Sequence, residues 1–209
     1  MEIIPAVIGQ SFGEIEPKLK LLEGVANWVH LDVTDGTLTR GSSWSNPDDI
    51  EFVDGKLKLE VHLMVRQPEE IFGDWSLVAD RVLVHGETAL DPEALIAFAG
   101  RERVELGVVL NLETPISELE NYGQELRLVQ LMAIGEIGEQ GHVFEDKMLD
   151  KIKLLREIRP NVKIQVDGGI NLKTARLAFA AGADNLVVGS AIWQTPDPLA
   201  TLKLFQKLN

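Results

Sequence analysis

Val162-Lys163-Ile164-Gln165-Val166-Asp167-Gly168-Gly169-Ile170-Asn171 joins a strand signal, a turn signal and a helix start in one short stretch. Val162 to Val166 is a short β-branched run of the kind found in buried parallel strands. Two glycines end it, and Asn171 is a plausible cap for a helix running to Ala181. Gly182 then supplies a helix stop, and Asn185 to Val188 begins the next apolar run. The result is one strand–helix–strand unit.

Working outward, the same unit recurs along the chain. The other apolar runs are Ile3–Ile8, Trp28–Val33, Leu57–Met64, Arg81–Val84, Val104–Leu110 and Leu126–Met132, which makes eight in all. Between them, Glu14–Glu23, Asp91–Gly100 and Glu145–Arg159 carry apolar residues at three- and four-residue intervals, and Pro196–Leu208 is the final helix. Asp91-Pro92 and Gln67-Pro68-Glu69-Glu70 look like helix starts, with Pro in the first turn and acids near the positive end of the helix dipole. Eight strand–helix repeats of about 25 residues each predict a single (β/α)8 barrel spanning residues 1–209 as one domain. An open doubly wound sheet is the other reading, but Ile8-Gly9-Gln10-Ser11 is not the Gly-rich turn that fold places after its first strand.

Composition narrows the function. The chain has 209 residues, 45% apolar and 25% charged, with 20 basic against 33 acidic residues and a net charge of −13. That charge argues against a general grip on nucleic acid or on an anionic membrane surface. The absence of cysteine removes disulfides, zinc–thiolate sites and thiol nucleophiles, so any metal must be held by histidine and carboxylate. No apolar run approaches the ~20 residues of a transmembrane helix, and the first residues do not read as a signal peptide. A cytoplasmic enzyme is the expectation.

Catalytic groups of such a barrel stand at the C-terminal ends of its strands. Strand alternation puts His30 and Asp32 on one face and Leu31 and Val33 on the other. By the same alternation His62 points inward between Val61 and Leu63, and Asp167 points inward if Val166 packs outward. Each of these four alone reads as a buried, hydrogen-bonded polar group. Together at one mouth they make a ligand set for a divalent ion such as zinc, manganese or iron. His85 reads as structural or as a substrate contact, and His142 as a surface histidine. Gly168-Gly169 and Gly189-Ser190 follow the last two strands, where barrels often bind phosphate through backbone N–H groups. Met64 and Met132 end strands as core filling, or wall the mouth off from water. Lys58 and Lys163 lie early in their strands, which disfavours a Schiff-base aldolase. Gly189-Ser190-Ala191 is not a serine-hydrolase elbow.

These residues resemble the ribulose-phosphate 3-epimerase family. The likeness rests on His30-Leu31-Asp32-Val33-Thr34-Asp35-Gly36, Val61-His62-Leu63-Met64-Val65 and Gln165-Val166-Asp167-Gly168-Gly169-Ile170-Asn171. It continues through Ala181-Gly182-Ala183-Asp184 and Val188-Gly189-Ser190-Ala191-Ile192, with smaller echoes at Val84-His85-Gly86-Glu87 and Gly107-Val108-Val109-Leu110. The resemblance implies one divalent ion on His30, Asp32, His62 and Asp167. It implies that Asp32 and Asp167 move the C3 proton through a metal-stabilised enediolate, interconverting D-ribulose 5-phosphate and D-xylulose 5-phosphate. It also implies substrate or phosphate contacts at Gly138, Gly168, Gly169, Gly189, Ser190, Met64 and Met132. Homo-oligomers are common in the family.

The chain departs from the family pattern at several places. Ala6 replaces a serine near the substrate, Thr34 a methionine and Thr37 a histidine. The mobile loop after strand six becomes Ile134-Gly135-Glu136-Ile137-Gly138-Glu139-Gln140-Gly141. Either Glu136 and Glu139 face solvent, or the substrate is another ketose phosphate or a free sugar. A non-catalytic sugar-phosphate-binding relative is the third reading.

Overall fold

The computed structural model describes residues 1–52, 56–124, 126–138 and 141–208. Its eight strands are β1 (Glu2–Val7), β2 (Trp28–Thr34), β3 (Lys58–Met64), β4 (Arg81–His85), β5 (Glu105–Leu110), β6 (Leu128–Met132), β7 (Lys163–Asp167) and β8 (Asn185–Val188). All neighbouring pairs are parallel, and β8 pairs with β1 to close the barrel. This is the (β/α)8 architecture predicted from the strand–helix period. The helices are α1 (Phe12–Leu22), α2 (Glu69–Ser76), α3 (Pro92–Glu102), α4 (Met148–Ile158), α5 (Leu172–Ala181), α6 (Ser190–Trp193) and α7 (Pro198–Gln206).

The regular alternation breaks in two crossovers. Between β2 and β3, and between β5 and β6, the connection carries a 3-10 turn, at Pro47–Phe52 and Ile116–Tyr122. Neither segment has an apolar stripe at helical spacing. The last helical segment is also two helices, because Gln194 to Asp197 interrupts it before Pro198 restarts the chain at a first-turn position.

Local chemistry explains the helix starts. Asn171 accepts hydrogen bonds from the N–H groups of Lys173 and Thr174, and the Thr174 hydroxyl accepts the Asn171 N–H at 2.8 Å, a reciprocal cap. Asp91 caps α3 by accepting from the Ala94 N–H.

Alternation along each strand makes two cores. Val29, Leu31, Val61, Leu63, Val82, Val84, Val129, Leu131, Ile164 and Val166 face the helices in one continuous apolar layer. Inside the barrel a smaller cluster contains Leu83, Val109, Leu128, Met132 and Ile134. Gly107 makes that inner cluster fit: a Cβ there would stand 2.3 Å from Leu83 Cδ2 and 2.7 Å from Leu128 Cδ2. Ile4, Ala6, Met64 and Val187 add apolar surface to the interior, and much of the remainder is polar. Glu60, His62, Arg81, His85, Gln130 and Gln165 are all buried on inward-facing positions. Burying so many polar groups requires that they satisfy one another.

Candidate active site

Register brings the strand-end residues together. Asp32 stands beside His62 in the β2–β3 ladder, and Met132 beside Asp167 in the β6–β7 ladder. His30 Nε2 lies 3.2 Å from Asp32 Oδ1, 3.3 Å from His62 Nδ1 and 3.9 Å from Asp167 Oδ2. His62 Nδ1 lies 3.2 Å from Asp32 Oδ1 and 4.0 Å from Asp167 Oδ2. One ligand atom from each of His30, Asp32, His62 and Asp167 lies within 4.8 Å of the others.

This spacing can be tested against a metal. Four donors at tetrahedral bond lengths of about 2.1 Å stand about 3.4 Å from one another. The separations from the two imidazole nitrogens, 3.2 to 4.0 Å, bracket that value. Donor chemistry agrees, because two imidazoles and two carboxylates suit a borderline divalent cation. The residues present therefore fit a metal ion.

A buried network fixes these ligands from beneath. His30 Nδ1 is 2.6 Å from Glu60 Oε1, so a carboxylate orients the first imidazole. Glu60 Oε1 also accepts from Gln165 Nε2 at 2.6 Å, and Oε2 accepts from the Arg81 guanidinium at 2.5 Å. Arg81 in turn donates twice to Glu105 and stacks on Trp28, 4.2 Å from the ring centroid. Gln130 accepts from Gln165 and lies 3.4 Å from both Asp167 Oδ2 and His62 Nδ1. Behind the second imidazole, His62 Nε2 lies 2.9 Å from His85 Nε2.

The protein groups alone polarise the cluster strongly. Burial opposes charge on His30, but Asp32 and Glu60 beside it win and hold the imidazole well above its usual range. Burial would raise Asp32, yet His30 and His62 hold it well below the usual carboxylate range. His62 is pushed down to about 4, by burial and by repulsion from the other imidazoles. Burial and the neighbouring carboxylates lift Asp167 to about 7. The two acids of one cluster are thus driven apart, the pattern of groups that exchange protons.

Above this cluster opens a cleft lined by Asp32 and Asp167 together with Ala6, Met64, Met132, Gly138, His142, Gly168, Gly169, Gly189 and Ser190. Of the residues singled out at the barrel mouth from the sequence, His30 and His62 lie fully buried beneath this lining, and the others line it. Gly169 is required sterically: its φ is +65°, and a Cβ would lie 2.2 Å from the Phe144 backbone nitrogen. Gly138, at φ +93°, lets the loop after β6 pack on Thr39 from the loop after β2.

The structure differs from the sequence reading at His142, expected on the surface. It is half-buried and lines the mouth, because the chain from 141 to 145 returns to pair with the end of β6, with the Glu145 N–H donating to the Ala133 carbonyl. Two departures from the family pattern have a structural role. Thr34 Oγ1 donates to the Gly41 carbonyl, and Thr37 Oγ1 donates to Asp35 and accepts the Arg66 N–H. Both hold the loop after β2. Glu136 is exposed and bonded to Arg40 at 2.9 Å, outside the residues that line the mouth. Glu139 lies outside the described residues.

Glu60, Arg81, Gln130 and Gln165 were not among the residues read as functional. Their signal is present nonetheless: each is a polar residue on the same alternation phase as a ligand or as the inner apolar cluster, inside an otherwise apolar strand.

Comparisons with known proteins agree with this geometry. Similar folds include 3-hexulose-6-phosphate synthase from Salmonella typhimurium, with a TM-score of 0.74 and 16% identity over 100% of this chain and 98% of that one. Orotidine 5'-phosphate decarboxylase from Pyrococcus horikoshii OT3 superposes with a TM-score of 0.69 at 17% identity, covering 99% and 98%. At such identities these two share the fold alone. In sequence, the ribulose-phosphate 3-epimerase of Bacillus subtilis is 32% identical over 206 residues, covering 94% of each chain. The Escherichia coli protein of the same name is 28% identical, covering 93% of this chain and 90% of its own. Among the described residues, no helix is long and apolar enough to cross a membrane. The family model "Ribulose-phosphate 3 epimerase family" matches residues 2–193, and on that match the chain belongs to this family of carbohydrate isomerases.

Proposed function

We propose that this chain is a divalent-metal-dependent 3-epimerase of a ketose phosphate, with D-ribulose 5-phosphate and D-xylulose 5-phosphate as its substrate pair. One observation carries the reading: two carboxylates and two imidazoles converge at the floor of a glycine-lined mouth.

His30, Asp32, His62 and Asp167 would hold the cation. When bound, zinc, manganese or iron supplies Lewis-acid stabilisation for the negative charge that develops on the substrate carbonyl oxygen. The protein moves the proton. Asp32 and Asp167 reach the site from β2 and β7, strands separated by β1 and β8. One of Asp32 and Asp167 takes the C3 proton and the other returns one. In the reverse direction the roles exchange. Inversion follows if the two act on opposite faces of that carbon. Met64 and Met132 keep the floor apolar, which strengthens the electrostatics of the cluster. Gly168, Gly169, Gly189 and Ser190 offer close backbone approach to the phosphate, and Gly138 brings the loop after β6 to the same mouth.

The placement of Glu136 supports a phosphorylated substrate. Its charge is matched by Arg40 and it does not line the mouth, which weakens the repulsion that would favour a free sugar.

The test is incubation of the purified protein with manganese or zinc and D-ribulose 5-phosphate in deuterated water. Xylulose 5-phosphate carrying deuterium at C3 is expected, with phosphorylated ketoses preferred over free ones. Absence of turnover and of exchange with every ketose phosphate tried would contradict the proposal and favour a binding protein instead.

A further inference from the structure

His142 lines the mouth and has no part in the mechanism above. The segment that carries it is held in place on its far side. The Glu145 N–H donates to the Ala133 carbonyl at 2.9 Å, just beyond β6. The main chain of Val143 and Phe144 lies directly against Gly169, where a Cβ would come within 2.8 Å of the Val143 carbonyl carbon and 2.2 Å of the Phe144 nitrogen. Only glycine lets two backbones meet so closely. Phe144 is buried, Val143 is 81% exposed and His142 is half-buried. The fold therefore seats His142 beside the loop after β7, at the same mouth as Gly168, Gly169, Gly189 and Ser190.

Charge makes that seat matter. A phosphate monoester carries about −1.5 to −2 at neutral pH, and the chain it would enter has a net charge of −13. Among the described residues that line the mouth there is no lysine and no arginine. Backbone N–H groups supply dipoles but no net charge, and the carboxylates of Asp32 and Asp167 stand at the floor. Cations near the mouth are engaged elsewhere. Lys18 Nζ donates to the Ile8 carbonyl at 3.1 Å, Arg66 Nε to the Thr37 carbonyl at 2.7 Å, and Arg40 pairs with Glu136 at 2.9 Å. His142 has no such engagement: among the described residues its ring makes no hydrogen bond, ion pair or ring contact. Ser190 and His142 are the two lining residues whose side chains carry a standing donor, and of these only His142 can also carry positive charge. An imidazole keeps at least one N–H in either protonation state.

We propose that His142 is a substrate-binding residue that donates a ring N–H to the phosphate group of the ketose phosphate and so favours phosphorylated over free ketoses. This rests on the reading of the chain as a ketose-phosphate epimerase. The glycines after β7 and β8 let the anion come close, and His142 holds it from the loop after β6. On that same loop Glu136 stays with Arg40 outside the lining, so the loop brings a donor to the anion and keeps that carboxylate off it.

Steady-state kinetics of the manganese-loaded protein with D-ribulose 5-phosphate tests the contact. His142→Ala is expected to raise KM about 10- to 100-fold, the effect of losing one hydrogen bond to a charged group, with kcat little changed. Competitive inhibition by inorganic phosphate should weaken by the same factor. His142→Gln keeps an N–H donor and is expected to recover much of the loss on both counts. A merely structural role for the ring would instead lower kcat and leave phosphate inhibition unchanged. An H142A protein whose KM and phosphate inhibition match the wild type, or an H142Q protein as impaired as H142A, would overturn the inference and leave the epimerase reading intact.

The wild-type chain offers an independent measure, because the other three histidines are fully buried. Carbethoxylation of metal-free protein by diethyl pyrocarbonate, located by mass spectrometry, should fall first on His142 and be slowed by inorganic phosphate at constant ionic strength. An unchanged rate at His142 would overturn the inference even if the variants fail to fold. Wild-type protein that turns over no ketose phosphate would overturn the epimerase reading, and the protection by inorganic phosphate would still decide the contact.

Discussion

Replacing Arg81 with methionine isolates the charge balance beneath the site. Glu60 has no exposed surface, and its two oxygens are shared among Arg81, His30 and Gln165. Methionine keeps much of the apolar length of arginine and removes the guanidinium. Glu60 is then a buried carboxylate with His30 as its cationic partner. Removing one member of a buried pair costs about 3–5 kcal/mol, because the other charge is left uncompensated. Loss of the stack on Trp28 adds about 0.5–2 kcal/mol. Glu105 adds little, being partly exposed and able to take up water. For a domain of this size each kcal/mol lowers the melting temperature by about 2–4 °C. R81M is therefore expected to lose about 3.5–7 kcal/mol in urea titrations and to melt about 7–28 °C lower. Chelator should be present, so that metal binding does not contribute to the apparent stability. The double variant R81M/E60Q removes the orphaned charge and should recover most of the loss. A cost below about 1 kcal/mol for R81M, or a double variant whose effect is the sum of the two singles, would refute the reasoning.

The remaining expectations concern the mouth. Asp32→Asn and Asp167→Asn each remove a proton-transfer group. Turnover should fall at least 10²- to 10⁴-fold while the circular dichroism spectrum is unchanged, and retention of C3 deuterium exchange in both would be incompatible with the mechanism. Metal affinity should weaken as pH falls. Asp167 is raised to about 7, so below that pH it holds a proton that the cation must displace. His30, raised by Asp32 and Glu60, gives up a second proton over a higher range. Calorimetric titration of manganese between pH 6 and 9 should show affinity rising steeply up to about pH 7 and less steeply above it; a flat profile would count against these assignments. Gly138→Ala sets a Cβ 2.6 Å from Thr39 Cβ at a φ of +93°. Strain of about 1–3 kcal/mol should displace the loop after β6, raising KM for the phosphorylated ketose more than it lowers kcat. An unchanged KM would show that this loop takes no part in binding.

The barrel and the four polar side chains that converge at its mouth were legible because both rest on period-two alternation. His30 and Asp32 share a face, and that face is decided by Leu31 and Val33 needing the helices. Glu60 and Arg81 were not legible in the same way. A charge at the start of β4 reads equally well as solvated at the barrel's lower rim. Only the ladder that places Glu60 opposite Arg81 shows that the two satisfy each other. The contact between His62 and His85 is hidden for the same reason, since it depends on rings from adjacent strands meeting. The crossovers at Pro47–Phe52 and Ile116–Tyr122 lack helical periodicity, so the alternation alone overcounted helices. His142 was misplaced because polar composition does not reveal that a loop folds back onto a strand end.

Whether His30, Asp32, His62 and Asp167 hold one cation is tested most directly by titrating the chelator-stripped protein with cobalt(II) and following its visible absorption. The account predicts saturation at one equivalent per chain, with the band abolished in His30→Ala and Asp167→Ala. A spectrum of free aqueous cobalt throughout, or a band that survives both substitutions, would contradict it.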